Sequence, residues 1–270
     1  MVSVNYKLYH ESVVTSSLPI SSWKLYIASS DKAQGALSAE VYMMVLAYRL
    51  QPAWWSGDSI LRGRIASRLR KSIEDGTPGP LFFRAYKSMQ WDCDLLFWCA
   101  SREPEQLADI KLKMNSAFVG VANPTHSLLS LFEESPYIKA GGDLTEGFKR
   151  EPLRYFVAYP MSKSADWYQL DYEERKKIMA EHIGIARSHP EGKGIRSYTT
   201  YSYGLGDHEF VVMYETDSLT AWSHVTGALR EARARKWIIN ETPLHLGVLL
   251  PDLMSLAGKD MATDRMGFVA

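Results

Sequence analysis

Only two cysteines, Cys93 and Cys99, occur in 270 residues, and they do not form a CxxC pair. This scarcity excludes a disulfide framework and a thioredoxin-type motif, and it points to a reduced, cytoplasmic setting. An excess of either charge is missing too, since 31 basic residues balance 31 acidic ones. A chain without net charge carries no electrostatic footprint for nucleic acid or an anionic membrane, so neither is expected as a partner. No apolar run approaches the roughly 18–20 residues of a membrane span, and the first residues lack the basic, apolar and small-residue order of a signal peptide. Phosphate loops and nucleophile elbows are absent as well. Gly204-Leu-Gly-Asp207 joins two strand-like runs and does not open a helix.

What the chain does have is apolar periodicity and many aromatic rings, 8 Trp and 15 Tyr among them. Its length suits one large domain or two small ones of ~100–200 residues each. Glu40–Leu50 holds Val41, Tyr42, Met43, Met44, Val45 and Leu46 in one run and predicts a strand. Ser56–Asp75 sets Ile60, Leu61, Ile65, Leu69 and Ile73 at helical spacing, with arginines on the solvated side. Strands at Leu81–Met89 and Asp94–Ala100, a helix from Pro104 to Phe118 and a strand at Ser127–Phe132 complete a β-α-β-β-α-β order. The order then repeats: strand Arg154–Met161, helix Asp171–Arg187, strands Ile195–Tyr203 and Glu209–Glu215, helix Ser218–Ile239, strand Pro243–Leu250. An α+β fold of two ferredoxin-like halves is therefore expected, residues 38–132 and 153–250. A Gly- and Pro-containing connector or flap at 133–152 would join them, between an N-terminal arm at 1–37 and a tail at 251–270.

Candidate chemistry concentrates in the second half. His182 lies mid-helix near Ile178, Met179, Ile183 and Ile185. It is either a partly buried structural histidine or an axial ligand to a haem-type iron, for which neutral imidazole on a rigid helix is suited. Without a second ligand at metal spacing it does not read as a zinc site. Tyr159 ends a strand beside Pro160. It either caps the core with its hydroxyl in water, or gives a proton or an electron to an oxidised metal centre. Lys163, four residues on, is a surface charge when isolated and a carboxylate clamp beside an anionic ligand. The acidic pairs Asp92/Asp94 and Glu133/Glu134 are read as turn and surface groups.

The run Tyr159-Pro-Met-Ser-Lys163, then Trp167-Tyr-Gln-Leu170, Glu173-Glu-Arg-Lys-Lys-Ile-Met-Ala-Glu-His182, Arg187 and Gly204-Leu-Gly-Asp-His-Glu-Phe210 closely resembles the chlorite dismutase superfamily. Within it, the coproheme decarboxylase branch is the most similar. The match covers about residues 153–247, and the first half fits in strand and helix order alone. The resemblance implies a dimeric α+β barrel within one subunit, a ring-shaped homo-oligomer, typically a pentamer, and a porphyrin site in the C-terminal half. It places His182 at the proximal iron ligand and Tyr159 at the radical-forming tyrosine. Lys163 matches a propionate contact, and Met161 a residue close to the reactive porphyrin edge. Chlorite dismutases carry an arginine on the distal face. Alignment on Gly204-Leu205 puts Ser197 there and strand alternation turns Arg196 to the opposite face, which disfavours chlorite chemistry. Arg233 replaces a glutamate usual in the last helix, and no distal histidine is matched, His126 being the nearest. The implied activity is oxidative decarboxylation of iron coproporphyrin III to haem b by hydrogen peroxide, the porphyrin iron being both substrate and redox centre. A haem b-dependent chlorite dismutase or peroxidase is one alternative, and a non-catalytic haem-binding protein another.

Overall fold

A computed structural model describes residues 40–74, 79–137 and 144–258. The expected N-terminal arm and the last 12 residues of the expected tail lie outside them. The strands are β1 (Val41–Leu50), β2 (Phe82–Ser88), β3 (Leu95–Ser101), β4 (Ala122–Phe132), β5 (Tyr155–Lys163), β6 (Ile195–Tyr201), β7 (Phe210–Thr216), β8 (Ile238–Asn240) and β9 (His245–Leu249). The helices are α1 (Pro52–Ser56), α2 (Ser59–Glu74), α3 (Pro104–Ala117), α4 (Ala165–Gln169), α5 (Tyr172–Ser188) and α6 (Leu219–Ala228).

All strand pairs are antiparallel, in the order β7-β6-β4-β1-β3-β2-β9-β5, and a β7–β5 pairing closes the ring into an eight-stranded barrel. The sequence order β1-β2-β3-β4 becomes the spatial order β4-β1-β3-β2, and β5-β6-β7-β9 becomes β6-β7-β5-β9. Both are the ferredoxin-like arrangement expected from the repeat. Closure removes the exposed edges that two open sheets would present. The halves meet at two seams, Leu131 opposite Tyr201 and Tyr86–Ser88 opposite Gly247–Leu249. Gly247 allows the second seam: a Cβ there would stand 2.7 Å from the Cβ of Tyr86 and 3.2 Å from Leu96.

β1 reads as one apolar run because it is covered on both faces. Val41, Met43, Val45 and Ala47 point into the barrel, while Met44, Leu46 and Tyr48 point out beneath α2 and α3. Inside, Tyr86, Phe156 and Trp98 form a stack with neighbouring ring centroids 4.8 and 4.7 Å apart. A buried ion pair spans the same interior. Arg84 Nη1 on β2 donates to Glu215 Oε1 on β7 at 2.8 Å, and the Tyr198 hydroxyl donates to the other carboxylate oxygen at 2.9 Å. Sequence reasoning passed over this network, because neither residue interrupts the strand pattern around it.

Three element expectations need correction. Strand Ser127–Phe132 begins at Ala122, since Asn123 and Pro124 still pair with Arg49 and Tyr48 around a bulge at Ala47/Tyr48. The helix expected over Ser218–Ile239 ends at Ala228 and gives way to 3₁₀ turns at Leu229–Glu231 and Arg233–Trp237, then to β8. Gly227, next to the break, is the one local helix-weakening signal, and the sequence carries no proline there. The break is held by tertiary contacts: the Arg233 backbone N–H donates to Glu181 at 3.0 Å, its guanidinium pairs with Glu174 and Glu181, and Ala234 is buried beneath. The expected tail starts with a 3₁₀ turn, Leu253–Ala257, that docks on α2 through buried Leu256 and an Arg62 bond to the Ala257 carbonyl at 2.8 Å.

Candidate functional site

The two helical layers cover the barrel differently. α2 and α3 pack on the outer face of β1–β4 through a continuous apolar cluster that includes Ile65, Leu69, Leu107 and Met114. Over the outer face of β5–β7 the packed cluster among the described residues is Trp167, Ile178 and Ala234 with three half-buried neighbours. The remaining space is a cavity of about 410 Å³, bounded by β5, β7, α5, α6 and the turns that follow α6. Ligand pockets usually span roughly 300–1,000 Å³.

Strand alternation fills this cavity from β5. Phe156 and Ala158 face the barrel interior, so Tyr159, Met161 and Lys163 line the outer side. α5 brings His182 and, one turn earlier, Met179 to the same space. Four of the five sequence-predicted site residues therefore share one cavity. Ser197 is not among its lining residues. It lies on the outer, cavity-side face of β6, opposite Tyr214 in the β6–β7 register, and β6 contributes Thr199 to the wall instead. Arg196 turns inward as alternation requires, donating to the Glu151 carbonyl at 2.7 Å and lying 3.6 Å from Glu215. His126 is also outside the cavity.

The electrostatics of the wall are distinctive. Lys163 is buried, with its ammonium 3.4 Å from the Trp167 ring centroid and 3.9 Å from Met179 Sδ, and it forms no ion pair among the described residues. Burial lowers it to about 8, with Glu209 opposing and Arg175 adding to the shift. His182 is pushed below the usual imidazole range by burial and by the Lys163 and Arg235 charges, so it is neutral near pH 7, and its Nδ1 has no hydrogen-bond partner in the structure. Tyr159 is raised by burial first, then by the neighbouring Tyr214 phenol. Their rings stack with centroids 6.2 Å apart. Sequence reasoning missed Arg230, Arg235 and Glu241. Both arginines pair with the one carboxylate, at 3.2 and 2.6 Å. With Lys163 the wall carries three cations against one anion. The basic later half of the helix expected over Ser218–Ile239 was the available signal, and it was given no role.

This donor set suits a flat, carboxylated, iron-holding macrocycle. A neutral imidazole with an unpartnered buried Nδ1 could hold the iron. An unpaired buried ammonium and two arginines could meet carboxylates. Trp222, Leu229, Ile238 and Leu244 supply apolar wall for a ring face.

The chlorite dismutase family profile matches residues 62–250. The chain belongs to this family. Two curated relatives named coproheme decarboxylase are similar to it. That of Mycolicibacterium smegmatis is 27% identical over 158 residues, 58% of this chain and 67% of the relative. That of Staphylococcus carnosus is 31% identical over 143 residues, 47% of this chain and 56% of the relative. Among solved structures, a chlorite dismutase-like protein superposes with a TM-score of 0.75 at 45% identity, covering 82% of this chain and 98% of the other. No helix among the described residues is long and apolar enough to cross a membrane.

Proposed function

We propose that this protein removes carboxyl groups from iron coproporphyrin III, using hydrogen peroxide, to give haem b. One observation carries the reading: alternate residues Tyr159, Met161 and Lys163 of a single strand face the same cavity as His182. Both curated relatives bear the name of that activity. Each round consumes one propionate, one peroxide and one proton. It forms a vinyl group, carbon dioxide and two waters, and two rounds convert two propionates.

The bound substrate supplies the redox-active iron as well as the reacting side chains. His182, neutral at working pH, holds the iron from the α5 side. Lys163 donates to one propionate and fixes its β-carbon relative to the Tyr159 oxygen, and hydrogen abstraction needs such near-contact placement. Tyr159, oxidised by one electron, takes the hydrogen. Tyr214 stacks on Tyr159 and stands opposite Ser197 in the β6–β7 register, which gives Ser197 a positioning role one residue removed from the substrate. The proposal includes a homopentamer, tested by native mass spectrometry of the 30.6 kDa chain.

Chlorite chemistry is the second reading, because the family profile bears that name. The inward Arg196 and the Thr199 on the cavity side of β6 weigh against it. Loading the protein with iron coproporphyrin III, titrating peroxide and following porphyrin mass decides the matter. Two successive losses ending at haem b are expected. A tightly bound porphyrin of unchanged mass would overturn the proposal.

A further inference from the structure

β9 serves two places at once. Leu244, just before it, lines the cavity described above, whereas His245, its first residue, pairs with Ala158 and faces the barrel interior. His245 is fully buried, and neither of its ring nitrogens has a hydrogen-bond partner among the described residues. A neutral imidazole has one donor and one acceptor nitrogen. Leaving both unsatisfied in a closed interior is costly, so such a ring calls for a ligand.

The groups around it are metal donors. The turn between β2 and β3 brings Asp92 and Cys93 to the same end of the barrel. One oxygen of Asp92, the Cys93 sulfur and one His245 nitrogen all lie within 4.8 Å of one another. His126, from the start of β4, adds a second ring with its centroid 5.0 Å from that of His245. Its buried Nδ1, also without a hydrogen bond, is 3.7 Å from Asp92 Oδ2. We propose that Cys93, His245 and Asp92 form a Zn²⁺ site at this end of the barrel, with His126 or water as the fourth ligand.

The donor chemistry selects the ion. Sulfur, imidazole and a single carboxylate suit zinc and not the all-oxygen shells of calcium or magnesium. Tetrahedral zinc with bonds of ~2.0–2.3 Å holds its ligands roughly 3.3–3.8 Å apart, so the three atoms must close by about 1 Å. The β2–β3 turn can supply that movement, since it projects into solvent with Trp91 86% exposed. Asp92 and His126 are half-buried and form the access side, while Cys93 and His245 are closed off. As the metal–sulfur bond forms, the thiol proton leaves to solvent, and the Cys93 contact with Ser88 Oγ, now 3.2 Å, gives way. The site ties the β2–β3 turn to β9 beside the Gly247 seam, so it fastens one half of the barrel to the other. It stands apart from the porphyrin proposal, because none of its ligands lines that cavity.

The test is a Co²⁺ titration of the chelator-treated full chain, with no porphyrin present. One equivalent should bind with the visible bands of tetrahedral cobalt and a thiolate-to-metal band in the near ultraviolet, and Zn²⁺ should displace it. Cys93→Ser should abolish the thiolate band and His245→Gln should weaken binding at least tenfold, while Cys99→Ser and His182→Ala keep the full signal. If the Cys93 variant does not fold, the wild type carries the test: stoichiometric Zn²⁺ should protect Cys93 from alkylation, read by peptide mass. Absence of binding at one equivalent, an all-oxygen six-coordinate cobalt spectrum, or unchanged alkylation of Cys93 overturns the assignment.

Discussion

Replacing Lys163 by methionine should move stability and binding in opposite directions. Methionine keeps the unbranched stem and removes the ammonium, so the packing against Trp167 and Met179 is nearly conserved. Lys163 sits at about 8 instead of its ordinary 10.5, and at about 1.4 kcal/mol per pH unit this is roughly 3 kcal/mol against the charged form. Contact with the Trp167 face returns ~0.5–2 kcal/mol of that. The sign follows from the lowered value. Below pH 8 the lysine is protonated in both folded and unfolded chains, and the whole penalty weighs on the fold. Between about 8 and 10.5 the unfolded chain binds more protons, so stability rises with pH; above that range the penalty is gone. At pH 7 the ligand-free Lys163→Met protein should therefore be more stable than wild type by about 1–3 kcal/mol in urea unfolding, and the gap should shrink at pH 10. Iron coproporphyrin III should bind less well, since a charge-assisted hydrogen bond worth roughly 1.5–3 kcal/mol is lost. Converted at 1.4 kcal/mol per factor of ten, that is about 10- to 150-fold in Kd. A variant that is less stable without ligand and binds with unchanged affinity would refute the reasoning: Lys163 would then be a packing residue.

Tyr159→Phe should bind iron coproporphyrin III within about tenfold of wild type, because one neutral hydroxyl contact is worth roughly 0.5–1.5 kcal/mol. Yet no carboxyl group should be lost when peroxide is added, and normal turnover by mass would end the radical assignment. His182→Ala should retain the porphyrin through its carboxylate contacts while losing the imidazole-ligated iron spectrum; an unchanged spectrum would return His182 to a structural role. In wild type that spectrum should persist somewhat below pH 6.5, the ordinary imidazole value, because burial and the Lys163 and Arg235 charges hold His182 neutral. Glu215→Gln should destabilise the barrel by about 3–5 kcal/mol in urea, since Arg84 would keep a buried charge without a counter-ion. A change under 1 kcal/mol would mean that the pair is solvated.

The fold was legible wherever one residue-level pattern coincided with one structural environment. β1 and β3 are apolar on both faces, and the structure covers both faces. Tyr159, Met161 and Lys163 were grouped by the family resemblance, and β5, which runs on past the expected end at Met161 to Lys163, puts them on one side by its period of two. Ser197 shows the limit. Alternation assigned it the correct face, but the strand leaves the cavity wall before reaching it, and only Thr199 lines the space. The broken helix after Ala228 was hard to place because Gly227 alone is a weak signal, while Glu181 and Glu174 act on Arg233 from 52 and 59 residues away, and no local propensity encodes them. His245 stayed hidden for a related reason. Its meaning lies in what its ring lacks, and an unsatisfied nitrogen has no sequence signature.

The difference between the two helical layers explains why this cavity lies over the second half of the repeat. In β1–β4 the outward residues Met44, Leu46 and Tyr48 meet the apolar faces of α2 and α3, so the space is filled. In β5–β7 the corresponding outward positions carry Tyr159, Lys163 and Tyr214, whose polar ends cannot be buried against a closely packed helix without partners. The helix after β7 stops early and its continuation folds across as 3₁₀ turns, with Arg230 and Arg235 sharing Glu241. The second half thus gives up packing to keep polar groups in a hollow, and Lys163 bears part of that cost. The stability gain predicted for Lys163→Met is the same quantity seen from the other side.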